Sequence, residues 1–233
     1  FSGHLLHLDD FLITLVGFWL FSVVSSALYL INDITDIDKD KIHPVKSKRP
    51  VASGELTVQV AGTVAVGLLI ASLVASFFVH REFALIVLVY VLINLTYSFH
   101  LKKIVILDVM SIAACFVLRV VAGAVIIGVP SSEWLILCTL LLSLFLGFSK
   151  RRHELLILEK NAVGHRAVLE HYSPQFLDQM TAIVTASTVM SYALYTISEE
   201  TVKKFGTNHL IYTVPFVLYG IFRYLYLVHK REE

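Results

Sequence analysis

The sequence is poor in charged residues and in cysteine. Only 16% of its 233 residues are Asp, Glu, Lys or Arg, whereas 57% are hydrophobic, a balance that excludes an ordinary water-soluble domain. Its two cysteines, Cys115 and Cys138, both lie inside apolar stretches, so the sequence predicts neither a disulfide framework nor a cysteine metal site. The hydrophobic composition predicts a membrane as the partner, and we expect no nucleic acid.

Long apolar stretches take the place of the missing polar residues. Each is close to the ~20 residues that a helix needs to cross the hydrocarbon core, which predicts an all-α, polytopic membrane helix bundle. We expect one membrane domain over residues 1–233. The predicted spans are 11–31, 57–79, 83–99, 104–128, 134–149, 176–197 and 209–229.

Basic residues are distributed unequally between the links that join these spans. Fourteen Lys and Arg lie in 32–56, 100–103, 150–175 and the tail after 229, whereas the other links contain only three. Links rich in Lys and Arg stay in the cytoplasm. We therefore expect an integral protein of the inner cell membrane with these four segments on its cytoplasmic face.

Three aspartates follow the first predicted span with helical spacing. If that helix continues beyond the membrane, Asp33, Asp36 and Asp40 project within about 60° of one another. Mg²⁺ binds carboxylate oxygens and substrate phosphates together, so we predict that these three residues are metal ligands and catalytic residues of a diphosphate site. The alternative is a solvated charged loop, which explains the neighbouring bases but not acids at this spacing.

The residues around the aspartates extend the same pattern. Lys46 and Arg49 are expected to bind phosphate oxygens, because a guanidinium can contact two of them at once. Asn32 is a further candidate for substrate binding. Pro44 and Pro50 predict that the helix ends and that an extended link follows.

The whole stretch from Asn32 to Gly54, N-D-x-x-D-x-x-x-D-x-x-H-P-x-K-x-x-R-P-x-A-S-G, resembles the first aspartate-rich motif of the UbiA superfamily of intramembrane prenyltransferases. The resemblance implies a fold of about nine membrane helices around a cavity, with cytosolic loops that bind Mg²⁺ and a diphosphate. It also implies that the first and last helices of that fold are absent from these 233 residues. Phe1-Ser2-Gly3 resembles the end of the missing first helix.

A later link departs from the common pattern of the superfamily. A second aspartate-rich motif is typical there, but this chain has Lys150-Arg151-Arg152-His153-Glu154. A basic link suits more anionic ligands, such as phosphoribosyl diphosphate and a polyprenyl phosphate. Together with stretches such as Tyr97–Lys102 and Phe116–Arg119, this link gives the chain a resemblance to the phosphoribosyltransferase branch of the superfamily.

The resemblance to that branch implies Mg²⁺-dependent transfer of a 5-phosphoribosyl group from phosphoribosyl diphosphate to a decaprenyl-type phosphate. The product of such a reaction is expected to be a precursor of a cell-wall arabinose donor. One alternative is a prenyltransferase that moves a prenyl group from its diphosphate to an aromatic or other acceptor. A remote alternative is an ion channel or transporter. The acids lie in a link and not near the bilayer midplane, where transporter sites usually lie.

Six further residues are candidates for substrate binding. Lys150 and Glu154 also have the i, i+4 spacing of a pair that supports a helix end. Arg119 lies well inside a predicted span, and an arginine at that depth normally faces a polar cavity or a partner. The six are Tyr97, Lys102, Arg119, Lys150, Arg151 and Glu154.

The sequence is also compatible with an oligomer.

Overall fold

A computed structural model describes residues 7–43, 45–160 and 167–230, and every regular element within these ranges is helical. Seven of the helical segments are long and apolar enough to cross a membrane, which confirms the all-α class and the number of predicted spans. The largest difference concerns the fifth predicted span, 134–149. The helix that contains it runs from Glu133 to Lys160 and therefore extends well past the predicted end. The seven spans are Leu8–Thr35, Val58–Val79, Arg81–Phe99, Leu107–Ile126, Glu133–Leu155, Pro174–Ile197 and His209–Val228.

The chain divides into two compact units, which are described separately. The first contains residues 1–131 and 162–168, and the second contains 132–161 and 169–233. That the whole chain forms one membrane domain stays a prediction.

Helix α1 is the centre of the first unit, because it packs against α4, α5 and α6. Its contacts include a core in which Phe21 and Val24 of α1 meet Val87 and Tyr90 of α5. The short helices α2 and α3 follow α1 and lead the chain to α4. The helices are α1 (Leu8–Thr35), α2 (Ile37–Ile42), α3 (Pro50–Ser53), α4 (Val58–Val79), α5 (Arg81–Phe99) and α6 (Leu107–Ile126).

Small side chains explain how α4 packs so closely in this unit. Its buried residues recur every three or four positions and therefore share one face of the helix. Small residues on such a face let two helix backbones approach each other, which is how helices associate in a membrane. These buried residues are Ala61, Ala65, Leu69, Ser72 and Ser76.

The described part of the second unit has four α-helices, two of them long. Helix α7 packs along α8, and α10 packs against α8. The hydroxyls of Ser173 and Ser198 cap α8 and α9 by accepting backbone N–H bonds from Phe176 and Thr201, as side chains at helix N-termini commonly do. The helices are α7 (Glu133–Lys160), α8 (Pro174–Ile197), α9 (Glu199–Phe205) and α10 (Val214–Lys230).

The packing of α4 gives a prediction about stability. Ala65 is fully buried and Val66 is exposed on the same helix. We expect Ala65→Phe to overfill the interface and to destabilise the fold by ~1–3 kcal/mol. Thermal unfolding in detergent should show a lower Tm for Ala65→Phe and an unchanged one for Val66→Phe. Equal Tm values for the two variants would contradict the assigned face.

Candidate functional site

The first membrane helix ends within the aspartate motif. Asp36 lies between α1 and α2 with φ −104° and ψ 7°, and the chain becomes helical again at Ile37. The carbonyl of Asn32 accepts bonds from the hydroxyl of Thr35 at 2.9 Å and from the N–H of Asp36 at 3.0 Å. Helix α1 therefore continues for about one turn beyond the predicted span end at 31, as the spacing argument requires, and a single turn residue at Asp36 separates it from α2.

Asp33 and Asp40 nevertheless meet, because both bind the same nitrogen of Arg49. The Nη1 group of Arg49 donates to Oδ1 of Asp33 at 2.6 Å and to Oδ2 of Asp40 at 2.9 Å. The side chain of Asp40 is only 5% exposed, whereas that of Arg49 is 38% exposed. The guanidinium thus bridges two adjacent carboxylates and offsets one of their two negative charges.

Asp36 has a different cation. The ammonium of Lys102 lies 2.7 Å from Oδ1 of Asp36 and 3.3 Å from the hydroxyl of Thr35. The hydroxyl of Ser98 donates to the side-chain oxygen of Asn32 at 3.5 Å. The end of α5 and the turn that follows it therefore lie beside the end of α1.

A tight loop positions Arg49. The Nδ1 atom of His43 accepts the backbone N–H groups of Val45 and Lys46 at 3.1 and 3.2 Å, which fixes the turn after α2. Pro50 begins α3, so the predicted extended link is wrong here: proline is favoured at the first position of a helix. Arg49 immediately precedes that helix. The other proline of this link, Pro44, lies outside the described residues.

The carboxylates fit magnesium in part. Within the described ranges, no three His, Cys, Asp or Glu side chains are grouped to hold a metal ion, since Asp36 is turned to Lys102. Mg²⁺ usually needs only one or two carboxylates, because waters and substrate phosphates complete its octahedron. Asp33 and Asp40 supply such a pair. The three aspartates, together with their cations Arg49 and Lys102, carry a net charge of −1, which also favours a bound cation.

Arg119 lies apart from the carboxylates. Its guanidinium donates to the hydroxyls of Tyr90 at 2.7 Å and Ser25 at 3.4 Å, and it lines a cavity of about 430 Å³ in the first unit. Because Ser25 precedes Asp33 on α1 by eight residues, the two are separated by ~12 Å along the helix axis. The cavity expected beside Arg119 is present, but it lies deeper than the aspartates.

The candidates of the later basic link belong to the second unit. The side chain of Arg151 is only 2% exposed and donates to Glu154 at 2.8 Å. The spacing of Lys150 and Glu154 suggested a pair between those two residues, but Glu154 forms its ion pair with Arg151. Lys150 is exposed. Arg152 bonds to Asp178 of α8 at 2.5 Å. Tyr97, in the first unit, is half-buried on α5.

Sequence reasoning missed four residues of the first unit that contact candidates. Thr35 and Ser98 bond to Lys102 and Asn32, and both lie inside or beside stretches that carry the resemblance. Ser25 and Tyr90, the partners of Arg119, come from two other helices. No local signal marks them, because their role depends on how α1, α5 and α6 pack.

Comparisons with known proteins identify the family. The model of the UbiA prenyltransferase family matches residues 2–154. The decaprenyl-phosphate phosphoribosyltransferase of Corynebacterium glutamicum is 35% identical over 213 residues, which cover 90% of this chain and 64% of that protein. The enzyme of the same name from Mycolicibacterium smegmatis is 34% identical over 185 residues, covering 79% and 58%. The chain thus spans less than two thirds of either relative.

A solved structure resembles the fold. It is described as a UbiA homolog from Archaeoglobus fulgidus bound to GPP and Mg²⁺, and it superposes with a TM-score of 0.76 at 20% identity. The match covers 94% of this chain and 76% of the other. Identity at this level supports the fold alone.

The carboxylate pair gives a prediction about metal binding. Asp33→Asn removes one of two adjacent anionic ligands, so we expect affinity for Mn²⁺, measured by electron paramagnetic resonance with diphosphate present, to fall about tenfold or more. Asp38→Asn is the matched control, because Asp38 is exposed on α2 between Asp36 and Asp40. Equal affinities for the two variants would remove the metal assignment.

Proposed function

The chain belongs to the UbiA prenyltransferase family, and we propose that it transfers a 5-phosphoribosyl group from phosphoribosyl diphosphate to a decaprenyl-type polyprenyl phosphate. The observation that carries the proposal is the convergence of Asp33 and Asp40 on Arg49 beside the Asp36–Lys102 pair. Acids and bases that suit a metal–diphosphate complex lie together at the end of α1, which supports the proposal. The names of the relatives support the choice of both substrates.

Arg49 is suited to exchange partners when the substrate arrives. Its exposed guanidinium reaches both carboxylates through one nitrogen, which leaves its other nitrogens available to an oxyanion. In the proposed complex, Arg49 and Lys102 bind phosphate oxygens, and Asp33, Asp36 and Asp40 are released to hold Mg²⁺. Mg²⁺ bound there supplies positive charge against the departing diphosphate.

The proposed reaction needs no strong base in the protein. An oxygen of the lipid phosphate attacks C1 of the ribose, and the C1–O bond to the diphosphate breaks with its electron pair on the leaving group. The nucleophile is already an anion, so the side chains position the two substrates and stabilise the leaving group. Arg49, Lys102 and Lys46 carry the charges for this task on the first unit.

We assign the reaction to the cytoplasmic face of the cell membrane, where phosphoribosyl diphosphate is available. The excess of Lys and Arg in the links that carry the candidates supports this orientation. The product, a polyprenyl-phosphoryl ribose, is proposed as a precursor of a cell-wall arabinose donor.

The substrate assignment is tested with labelled phosphoribosyl diphosphate. Membranes containing the protein and polyprenyl phosphate should convert the label into a lipid-extractable product, and Asp36→Asn should lower the rate about a hundredfold, a loss typical of one charged group that stabilises a transition state. Asp38→Asn should retain the rate. Transfer from a prenyl diphosphate to an aromatic acceptor, with no labelled lipid, would favour the prenyltransferase alternative. Ion flux unaffected by Asp36→Asn would favour a channel or transporter.

Arg49 gives a second prediction about the same reaction. Arg49→Lys keeps the charge but loses the planar fork that can bind a carboxylate and a phosphate together. We expect the KM for phosphoribosyl diphosphate to rise about tenfold, with little change in the KM for the lipid. Unchanged values for both substrates would show that Arg49 has only a structural role.

A further inference from the structure

Cations of the protein itself hold the carboxylates that a metal ion would need. The Nη1 atom of Arg49 lies 2.6 Å from Oδ1 of Asp33 and 2.9 Å from Oδ2 of Asp40. A divalent cation shared by these two aspartates also needs oxygens of both side chains. The guanidinium and a metal ion repel each other at such short range, so Arg49 and the metal compete for the same pair of acids.

The third candidate ligand is held in the same way. The Nζ atom of Lys102 lies 2.7 Å from Oδ1 of Asp36, and the two side chains are only 11% and 20% exposed. Three aspartates and two bases leave a net charge of −1, whereas the aspartates by themselves would present −3 to an incoming metal ion. The two bases therefore weaken the attraction of this cluster for a free divalent cation.

Displacing these bases is costly unless they find new partners. The fold tethers Arg49 and Lys102 next to the aspartates, so a free metal ion competes with charges that are always present at a high effective concentration. An ion pair in a partly buried place that loses one member leaves the other charge uncompensated. A free divalent cation satisfies the acids, but it leaves the displaced guanidinium and ammonium without an anion.

A diphosphate supplies the anion that a free metal ion lacks. Its oxygens accept strong hydrogen bonds from guanidinium and ammonium groups. The side chain of Arg49 is 38% exposed, which makes it accessible to an incoming anion. Exchange of carboxylates for phosphate oxygens thus couples the binding of metal to the binding of diphosphate, and such a coupling is reciprocal.

We propose that Arg49 and Lys102 exclude divalent cations from Asp33, Asp36 and Asp40 until a diphosphate binds, so that the site selects a metal together with a diphosphate over the metal alone. The choice of a diphosphate as the releasing anion rests on the function proposed above. The exclusion itself rests on the three ion pairs.

The exclusion is tested with Mn²⁺ alone. Mn²⁺ is titrated into the full chain in phosphatidylcholine nanodiscs, and free Mn²⁺ is followed by electron paramagnetic resonance. Arg49→Gln removes the competing charge from Asp33 and Asp40, so we expect Mn²⁺ to bind about tenfold more tightly than to the unmodified protein. Lys48→Gln removes an equal charge at an exposed neighbour and should change the affinity by less than about twofold, because exposed charges are screened. Equal or weaker binding of Mn²⁺ by Arg49→Gln would contradict the proposal.

Two further variants separate the effect of charge from an effect on folding. Arg49→Lys keeps the positive charge and should bind Mn²⁺ as weakly as the unmodified protein. Lys102→Gln releases the other acid and should also tighten Mn²⁺ binding, with Lys103→Gln as its exposed control. An unchanged affinity in Lys102→Gln would overturn the proposal as well, and this variant decides the matter where thermal unfolding shows that Arg49→Gln has lost its fold.

Inorganic diphosphate provides the second arm of the test. In equilibrium dialysis, saturating diphosphate should strengthen Mn²⁺ binding to the unmodified protein about tenfold or more, and it should do so much less in Arg49→Gln. Equally tight Mn²⁺ binding by the unmodified protein without diphosphate would refute the exclusion.

These measurements require no turnover, so they separate this inference from the proposed function. Exclusion of Mn²⁺ by a protein that makes no labelled lipid would count against the proposed function alone. Phosphoribosyl transfer by a protein whose Arg49→Gln variant gains no affinity for Mn²⁺ would count against this inference alone.

Discussion

One guanidinium nitrogen that binds two carboxylates is the contact on which the rest of the candidate site depends. Asp33 belongs to α1, Asp40 to α2, and Arg49 to the loop before α3. Without a cation between them, the two acids would repel each other beside a membrane of low dielectric constant. Arg49 removes that repulsion and keeps the acids adjacent. The side chain of Arg49 is 38% exposed, which makes it accessible to a phosphate in the proposed complex.

The membrane imposes a second constraint, since polar groups inside it need partners within the protein. Most hydroxyls of the spans meet this requirement locally: those of Ser22, Ser72 and Thr188 donate to carbonyls four residues earlier. Arg119 meets it through Tyr90 and Ser25 on other helices. Against this background, the buried hydroxyls of Ser76, Ser149, Thr181 and Thr185 stand out, because the described part of the chain offers them no hydrogen-bond partner.

The aspartate motif illustrates how far local sequence reasoning reaches. Its spacing predicted that Asp33, Asp36 and Asp40 project to one side. Asp33 and Asp40 both bind Arg49, whereas Asp36 binds Lys102. The interruption of the helix at Asp36 was not predicted, because the spacing of the acids does not reveal a single non-helical residue between two helical segments. Similarly, two pairings are available to Glu154 on one helix, and burial of Arg151 favours the closer one.

The sequence by itself determined the seven spans, the all-helical class and the identity of the acidic and basic candidates, because hydropathy and helical periodicity are properties of short segments. Only the tertiary structure decided which cation serves which acid. Lys102 reaches Asp36 across 66 residues of chain, and Arg119 reaches Ser25 across 94. Such contacts depend on which helix faces are packed together. Small residues such as those of α4 influence that packing, but no charged residue or motif in the sequence marks them.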